Sequence, residues 1–308
     1  MRLLITGASG LLGANLVLAA LAQGETVIAA GGSRRIEAGG VRSIAVDLTR
    51  PGTAAQLVAE TRPDVVIHTA ASVDVGRCEA NPEFAFRLNA QVPEEVASAC
   101  RGLGARLIHI STDAVFAGES MDRYGEDDPT VPVNQYGRAK LAGERAVLEA
   151  YSSSLVVRTS IYGWNAQPKE SLGEFFVTRL SSGQRVVGFS DVWMTPILAS
   201  DLAVQLLRLA HLDAAGVLHV SGHDCVSKAD FGRRIAVAFG YDPELITSVS
   251  IHDHPLSAPR PLRPCLRVDR AEALLGAMPT VDDGIERFRK TRDTGLPTRL
   301  HSLLESVP

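Results

Sequence analysis

The sequence predicts an α/β protein: a doubly wound parallel sheet with a smaller, discontinuous lobe beside it. Three observations carry that expectation. Short β-branched runs alternate with helical stretches through the first two thirds of the chain. The runs are apolar on both faces, as strands of a parallel sheet covered by helices on each side must be. Three glycines, Gly7, Gly10 and Gly13, stand between the first run and the first helical stretch, at the kind of junction where such sheets bind ligands.

In chain order the predicted strands are Leu3–Thr6, Thr26–Ala29, Ser43–Val46, Val65–His68, Arg106–Ile110, Leu155–Arg158 and Val217–Val220. The helical stretches between them fall at 12–22, 52–61, 82–101, 137–150 and 199–211. In the first, Leu12, Leu16, Ala19 and Ala20 share the face that docking on a sheet requires. From Tyr162 the alternation loosens into the loop "YGWNAQPKE", then a helix near 171–182. A helix near 227–239, the proline-rich "HPLSAPRPLRPC" (254–265) and helices near 269–275 and 281–292 complete the chain. These pieces divide it into a sheet domain, 1–162 and 192–222, and a lobe, 163–191 and 223–308.

Composition narrows the function. At 308 residues, 45% hydrophobic and 21% charged with a formal charge of −4, the chain gives no electrostatic case for nucleic acid. The basic run "RFRKTR" (287–292) reads as the exposed face of a late helix. The longest apolar run, "LLGANLVLAALA" (11–22), is shorter than the ~20 residues a membrane span needs. Met1 and Arg2 lead directly into a strand, which reads as no signal peptide. Cys78, Cys100, Cys225 and Cys265 lack CxxC spacing and are expected to be reduced thiols in a cytoplasmic protein. His252 and His254 have no further ligands at metal-site spacing, so no metal is expected.

The glycines each have a physical task. Gly7 permits a tight turn, Gly10 lets backbone approach a pyrophosphate, and Gly13 lets the helix pack closely on the sheet. Ser9, Leu11 and Leu12 complete the loop, and the helix N-terminus offers free N–H groups to phosphates. A carboxylate expected about 20 residues later, on the adenosine ribose, is missing. "GGSRR" stands there instead. Gly31 and Gly32 leave room for a 2′-phosphate, Ser33 offers a donor, and Arg34 and Arg35 offer charge-assisted bonds. The cofactor expected is NADPH.

Tyr136 and Lys140 stand four residues apart on a predicted helix and share a face. A neighbouring ammonium favours the phenolate and lowers a tyrosine pKa towards the useful range. Ser111 and Thr112 follow the fifth strand, at the sheet edge where ligands bind, and offer hydroxyls to a carbonyl oxygen.

Together these features resemble the extended short-chain dehydrogenase/reductase family, and within it the dTDP-4-dehydrorhamnose reductase branch. "TGASGLLG" (6–13) is similar to TGxxGxxG, and "STDAVFAG…YGEDDPTVPVNQYGRAKLAGE" (111–144) is the most specific stretch. "VVRTSIYG", "MTPILASDLA", "GVLHVSG" and "APRPLRPCL" follow in the family's order. The resemblance implies a Rossmann domain with a substrate-binding lobe and a catalytic set of Thr112, Tyr136 and Lys140. It implies that Asp47 and Leu48 flank the adenine, that Ala70 and Ala71 line the cofactor's path, and that Asn89 fixes active-site backbone. Arg260 matches an arginine that faces a substrate diphosphate. The branch's usual aromatics are replaced by Ala114, beside Val115, and by Ile161, which widens the sugar pocket; Trp164 and Trp193 are expected to pack in the core, with ring surface for the pocket as the alternative.

The expected activity is hydride transfer to a ketone, a nucleotide-activated 4-keto-sugar or related biosynthetic carbonyl. The resemblance also carries a homodimer built on the Tyr136 helix and its neighbour. Two alternatives stay open: a sugar-nucleotide epimerase with recycled cofactor, and a non-catalytic NADP-binding regulatory subunit resembling that of methionine adenosyltransferase.

Overall fold

The computed structural model describes residues 1–32, 34–254 and 256–306; Ser33, a predicted cofactor residue, lies outside them. Seven strands form the central sheet: β1 (Arg2–Thr6), β2 (Thr26–Gly31), β3 (Val41–Ala45), β4 (Val65–His68), β5 (Arg106–Ile110), β6 (Leu155–Arg158) and β7 (Gly216–His219). They run parallel in the order β7-β6-β5-β4-β1-β2-β3. Every predicted strand contributes one of them. The chain begins at β1, winds outward to β3, then returns to β4 on the other side of β1. That reversal opens a crevice beyond the carboxyl ends of β1 and β4.

Side-chain alternation along β1 assigns the two faces. Leu3 and Ile5 enter one core cluster with Leu16 and Val17 of α1 (Leu11–Ala22), while Leu4 enters the other. The second cluster also takes Leu57 and Val58 of α2 (Thr53–Thr61) and Val96, Ala97 and Cys100 of α3 (Val92–Leu103). Val147 of α4 (Gln135–Ala150) packs there too. Among the described residues no helix is long and apolar enough to cross a membrane.

The helix expected over 82–101 is interrupted. Pro82–Phe86 is helical, Arg87–Gln91 widens into a π-turn, and α3 begins at Val92. Pro93 has no N–H to give the Asn89 carbonyl, as a continuous helix would require. The Asn89 side chain instead accepts from the Ser72 amide at 2.8 Å and donates to the Ser72 carbonyl at 3.0 Å. Its carbonyl oxygen lies only 2.1 Å from where a Cβ on Gly143 of α4 would stand.

Beyond the sheet, α5 (Leu172–Ser181), α7 (Lys228–Phe239) and α8 (Val281–Asp293) pack around an aromatic group, while α6 (Ala199–Ala210) returns to the sheet against α1. Tyr162 meets the rings of Phe231 and Phe288 edge-on. Trp164 belongs to this core and not to a sugar pocket: its ring lies 4.2 Å from Phe288, and its indole N–H donates to the Phe288 carbonyl at 3.1 Å.

One expectation is corrected outright. Cys225 and Cys265, separated by 40 residues in sequence, form a disulfide, while Cys78 and Cys100 are buried free thiols. Backbone pairing brings the two together. Trp193–Met194 pairs with Val226–Ser227, just after Cys225, and the Trp193 amide donates to the Leu262 carbonyl, just before Cys265.

Two glycines test the packing. A Cβ on Gly13 would stand 2.2 Å from the Gly7 carbonyl oxygen, backbone against backbone, whereas one on Gly32 would meet nothing within 4 Å. Gly13→Ala is expected to destabilise the protein by about 2 kcal/mol, read as a lower thermal midpoint. Gly32→Ala is expected to leave the midpoint unchanged.

Candidate active site

A cavity of about 1120 Å³ fills the crevice. Its floor is the turn between β1 and α1, where Gly7 adopts φ +67° and any Cβ on it would strike the Ala70 amide at 2.6 Å. Helix α1 opens at Gly10 with no side-chain cap and no acidic residue in its first turn. Its free N–H groups and positive dipole end are therefore left for an anion. Ser9, Leu11, Leu12 and Gly13 line the same cavity. Gly31, Gly32, Asp47, Leu48, Ala70 and Ala71 also line it. An uncapped helix start above a bare glycine turn fits a dinucleotide diphosphate.

Arg34 and Arg35 stand just outside this lining, on a short strand, Arg34–Ile36. Asn89 is fully buried behind the wall, where its two bonds to Ser72 hold the segment after β4.

At the opposite end the cavity meets Thr112, Tyr136 and Lys140. Thr112 follows β5 by two residues and starts a short turn, its hydroxyl accepting from the Ala114 amide at 3.2 Å. Tyr136 and Lys140 sit one turn apart on α4. Asn134 caps that helix, accepting from the Gly137 amide at 2.8 Å and donating to the Pro259 carbonyl at 2.9 Å. The cap thus also fastens the helix to the proline-rich segment. The Thr112 hydroxyl stands close enough to the Tyr136 phenol to act on it, and it donates to Asp113 at 3.0 Å.

The electrostatics depart from expectation. Burial pushes the Tyr136 phenol above its ordinary value, opposed by the Thr112 hydrogen bond and reinforced by Asp113 and Cys78. Lys140 does not lower it. Its ammonium donates to the Ile110 carbonyl at 2.6 Å, and burial brings it down to about 8. Desolvation of the phenolate therefore outweighs any neighbouring positive charge, and Tyr136 is held protonated, ready to donate. Asp113 is raised to about 6, chiefly by burial.

Beneath this trio lies a buried ion pair. Glu144 of α4 accepts from Arg158 of β6 at 2.7 Å and from the Ser111 hydroxyl at 2.5 Å. Arg158 reaches on to the Glu126 carbonyl and the His219 ring. His68 and His109 stack beside Lys140, their centroids 5.4 Å apart. Burial, then the Lys140 charge, holds His68 down at about 3 and His109 well below its ordinary value, so both rings stay neutral.

The predicted substrate residues divide. Ile161 lines the cavity. Ala114 and Val115 are buried in the turn after Thr112, and neither they nor Trp193 nor Arg260 are among the lining residues. Arg260 donates to the Ala258 carbonyl at 3.0 Å, and Arg263 lies over the Trp193 ring at 4.5 Å.

Ser160, Gln167 and Lys169 also line the cavity, although the sequence did not single them out. Gln167 donates to the Ser9 carbonyl at 2.9 Å across 158 residues of sequence. No local pattern announces such a contact, since it exists only once the loop after Trp164 is folded over the glycine turn.

Comparison with known proteins agrees with this arrangement. Residues 1–291 match the family described as the RmlD substrate binding domain. A curated relative, the probable low-salt glycan biosynthesis reductase of Haloferax volcanii, is 36% identical over 91% of this chain and 95% of its own length. The dTDP-4-dehydrorhamnose reductase of Mycobacterium tuberculosis is 36% identical over 90% of this chain and 88% of its own. The dTDP-4-dehydrorhamnose reductase of Bacillus anthracis, solved in complex with NADP, superimposes with a TM-score of 0.83 at 28% identity, covering 94% of this chain and 99% of that one. The chain belongs to the RmlD substrate-binding family of extended short-chain dehydrogenases/reductases, alongside the dTDP-4-dehydrorhamnose reductases.

Proposed function

We propose that the protein is an NADPH-dependent reductase of a nucleotide-activated 4-keto-sugar. One observation carries the reading: a single cavity joins the uncapped α1 start at one end to Thr112, Tyr136 and Lys140 at the other. Relatives named as sugar-nucleotide ketoreductases support the substrate class. Bound in the crevice, the reduced dinucleotide supplies hydride. Tyr136 holds a proton at Oη for the carbonyl oxygen, and Thr112 orients that oxygen. Lys140 keeps positive charge beside them, where low dielectric strengthens its effect. With Ile161 lining the cavity in place of an aromatic ring, the pocket accepts a ketone other than dTDP-4-dehydrorhamnose.

Within the same proposal, 1–162 with 192–222 form the cofactor domain and 163–191 with 223–308 the substrate lobe. The glycine-loop residues, Gly32, Ser33, Arg34, Arg35, Asp47, Leu48, Ala70, Ala71 and Asn89 serve the cofactor; Arg260 serves the substrate. The availability of NADPH favours the cytoplasm as compartment. The α3–α4 pair, whose residues pack closely, is the face proposed for a homodimer.

Tyr136→Phe is expected to lower ketone-dependent NADPH oxidation by about 100-fold or more, with NADPH affinity by fluorescence titration nearly unchanged; normal turnover would exclude the mechanism. Net consumption of NADPH separates a reductase from an epimerase. Arg34→Ala is expected to weaken NADPH about tenfold while sparing NADH. Equal wild-type affinities for the two dinucleotides would sink the cofactor reading.

Lys140 titrates at about 8 in the folded protein and at its ordinary 10.5 when unfolded. Below 8 it is charged in both states. Between 8 and 10.5 the unfolded chain keeps a proton that the folded site has lost, so this group's contribution to stability rises with pH over that window. The value of kcat/KM is expected to fall over the same window as the ammonium is lost. Opposite slopes of kcat/KM and urea midpoint are the signature; parallel slopes would refute it.

A further inference from the structure

The family match ends at residue 291, yet the chain beyond it returns to the cofactor end of the molecule. After a short helix, Leu296–His301, residues Leu304–Ser306 pair antiparallel with Arg34–Ile36. Leu304 lies opposite Ile36, Glu305 opposite Arg35 and Ser306 opposite Arg34. The Glu37 amide donates to the Leu303 carbonyl at 2.7 Å. Leu300, Leu303 and Ile36 are buried together in the core cluster that holds α1.

The partner strand is short, and its place is tightly set. The chain reverses so sharply that the Arg34 carbonyl oxygen lies 2.4 Å from where a Cβ on Gly31 would stand. The Ile36 amide donates to the Ser43 hydroxyl at 3.0 Å. Alternation puts Arg34 on the face of buried Ile36 and leaves Arg35 on the exposed face. Among the described residues neither guanidinium is engaged in an ion pair. An isolated run of three strand residues does not hold its conformation in water, so the added strand joins the Gly31 turn and the Ser43 bond in ordering it.

We propose that residues 303–306 are a cofactor-specificity element. By adding a strand to Arg34–Ile36, they hold Arg34 at the lip beside Gly31 and Gly32 and so set the preference for a 2′-phosphorylated dinucleotide. This rests on the NADPH reading above. Arg34 acts on the ligand, and the added strand acts through Arg34 by removing the entropy lost when a mobile arginine is ordered.

The test removes residues 303–308 from the full chain and titrates NADPH and NADH by fluorescence. Dissociation constants are expected to rise about tenfold for NADPH and less than about twofold for NADH. Arg34→Ala should cost about tenfold in NADPH affinity in the full chain and less than about twofold in the shortened one, because coupled residues are not additive. Leu303→Ala, which keeps every strand residue, is expected to weaken NADPH about threefold and serves if the shortened chain fails to fold. A retained NADPH to NADH ratio in either variant overturns the proposal, and so does an equal loss for both dinucleotides, which marks mere structural support. A full-length protein with no NADPH preference overturns the cofactor reading itself, a result distinguishable from either.

Discussion

The arrangement of this site depends on the ion pair between Glu144 and Arg158. Its partners come from five places: α4, β6, the residue following β5 through Ser111, the loop before α4 through the Glu126 carbonyl, and β7 through the His219 ring. Each must be in position before Thr112, Tyr136 and Lys140 can face one another. A buried pair of this kind contributes little net stability, yet losing one member leaves an uncompensated charge. It therefore acts as a constraint on geometry more than as a source of folding energy. The same carboxylate sustains the charge on Lys140 against burial, so position and electrostatics are governed by one group.

Around that constraint the crevice is organised as a gradient of polarity. One end offers backbone N–H groups and open glycine surface to phosphates; the other offers hydroxyls and a buried ammonium to a carbonyl. Behind the cavity, the two neutral histidines, His68 and His109, pack beside Lys140 without adding charge. Burial keeps Tyr136 protonated at the reactive end, with the Lys140 ammonium one turn away on the same helix.

Much of this was legible in the sequence because it is carried by local rules. Strands buried on both faces declare themselves as continuous apolar runs, and all seven appeared. The glycine turn and the Tyr136–Lys140 spacing are likewise short-range patterns with fixed structural meaning. The misreadings share a different cause. The break at Asn89 depends on Pro93 together with a distant serine, and the Cys225–Cys265 bond on pairing between lobe segments. The pKa of Tyr136 could not be inferred from its neighbour at i+4, since burial depends on the whole fold. Gln167 and Lys169 reached the cavity through loop folding that no periodicity encodes.

The disulfide has a consequence for the composition of the lobe. A covalent closure over 40 residues removes, on the chain-entropy account, roughly 4 kcal/mol of freedom from the unfolded chain. The segment it bounds includes the proline-rich stretch with Arg260 and Arg263, which adds few buried apolar side chains of its own. Order that would otherwise require a local hydrophobic core is supplied by a crosslink and by prolines. The polar positions of that stretch are thereby released from packing duty, and their side chains can change without loss of a core.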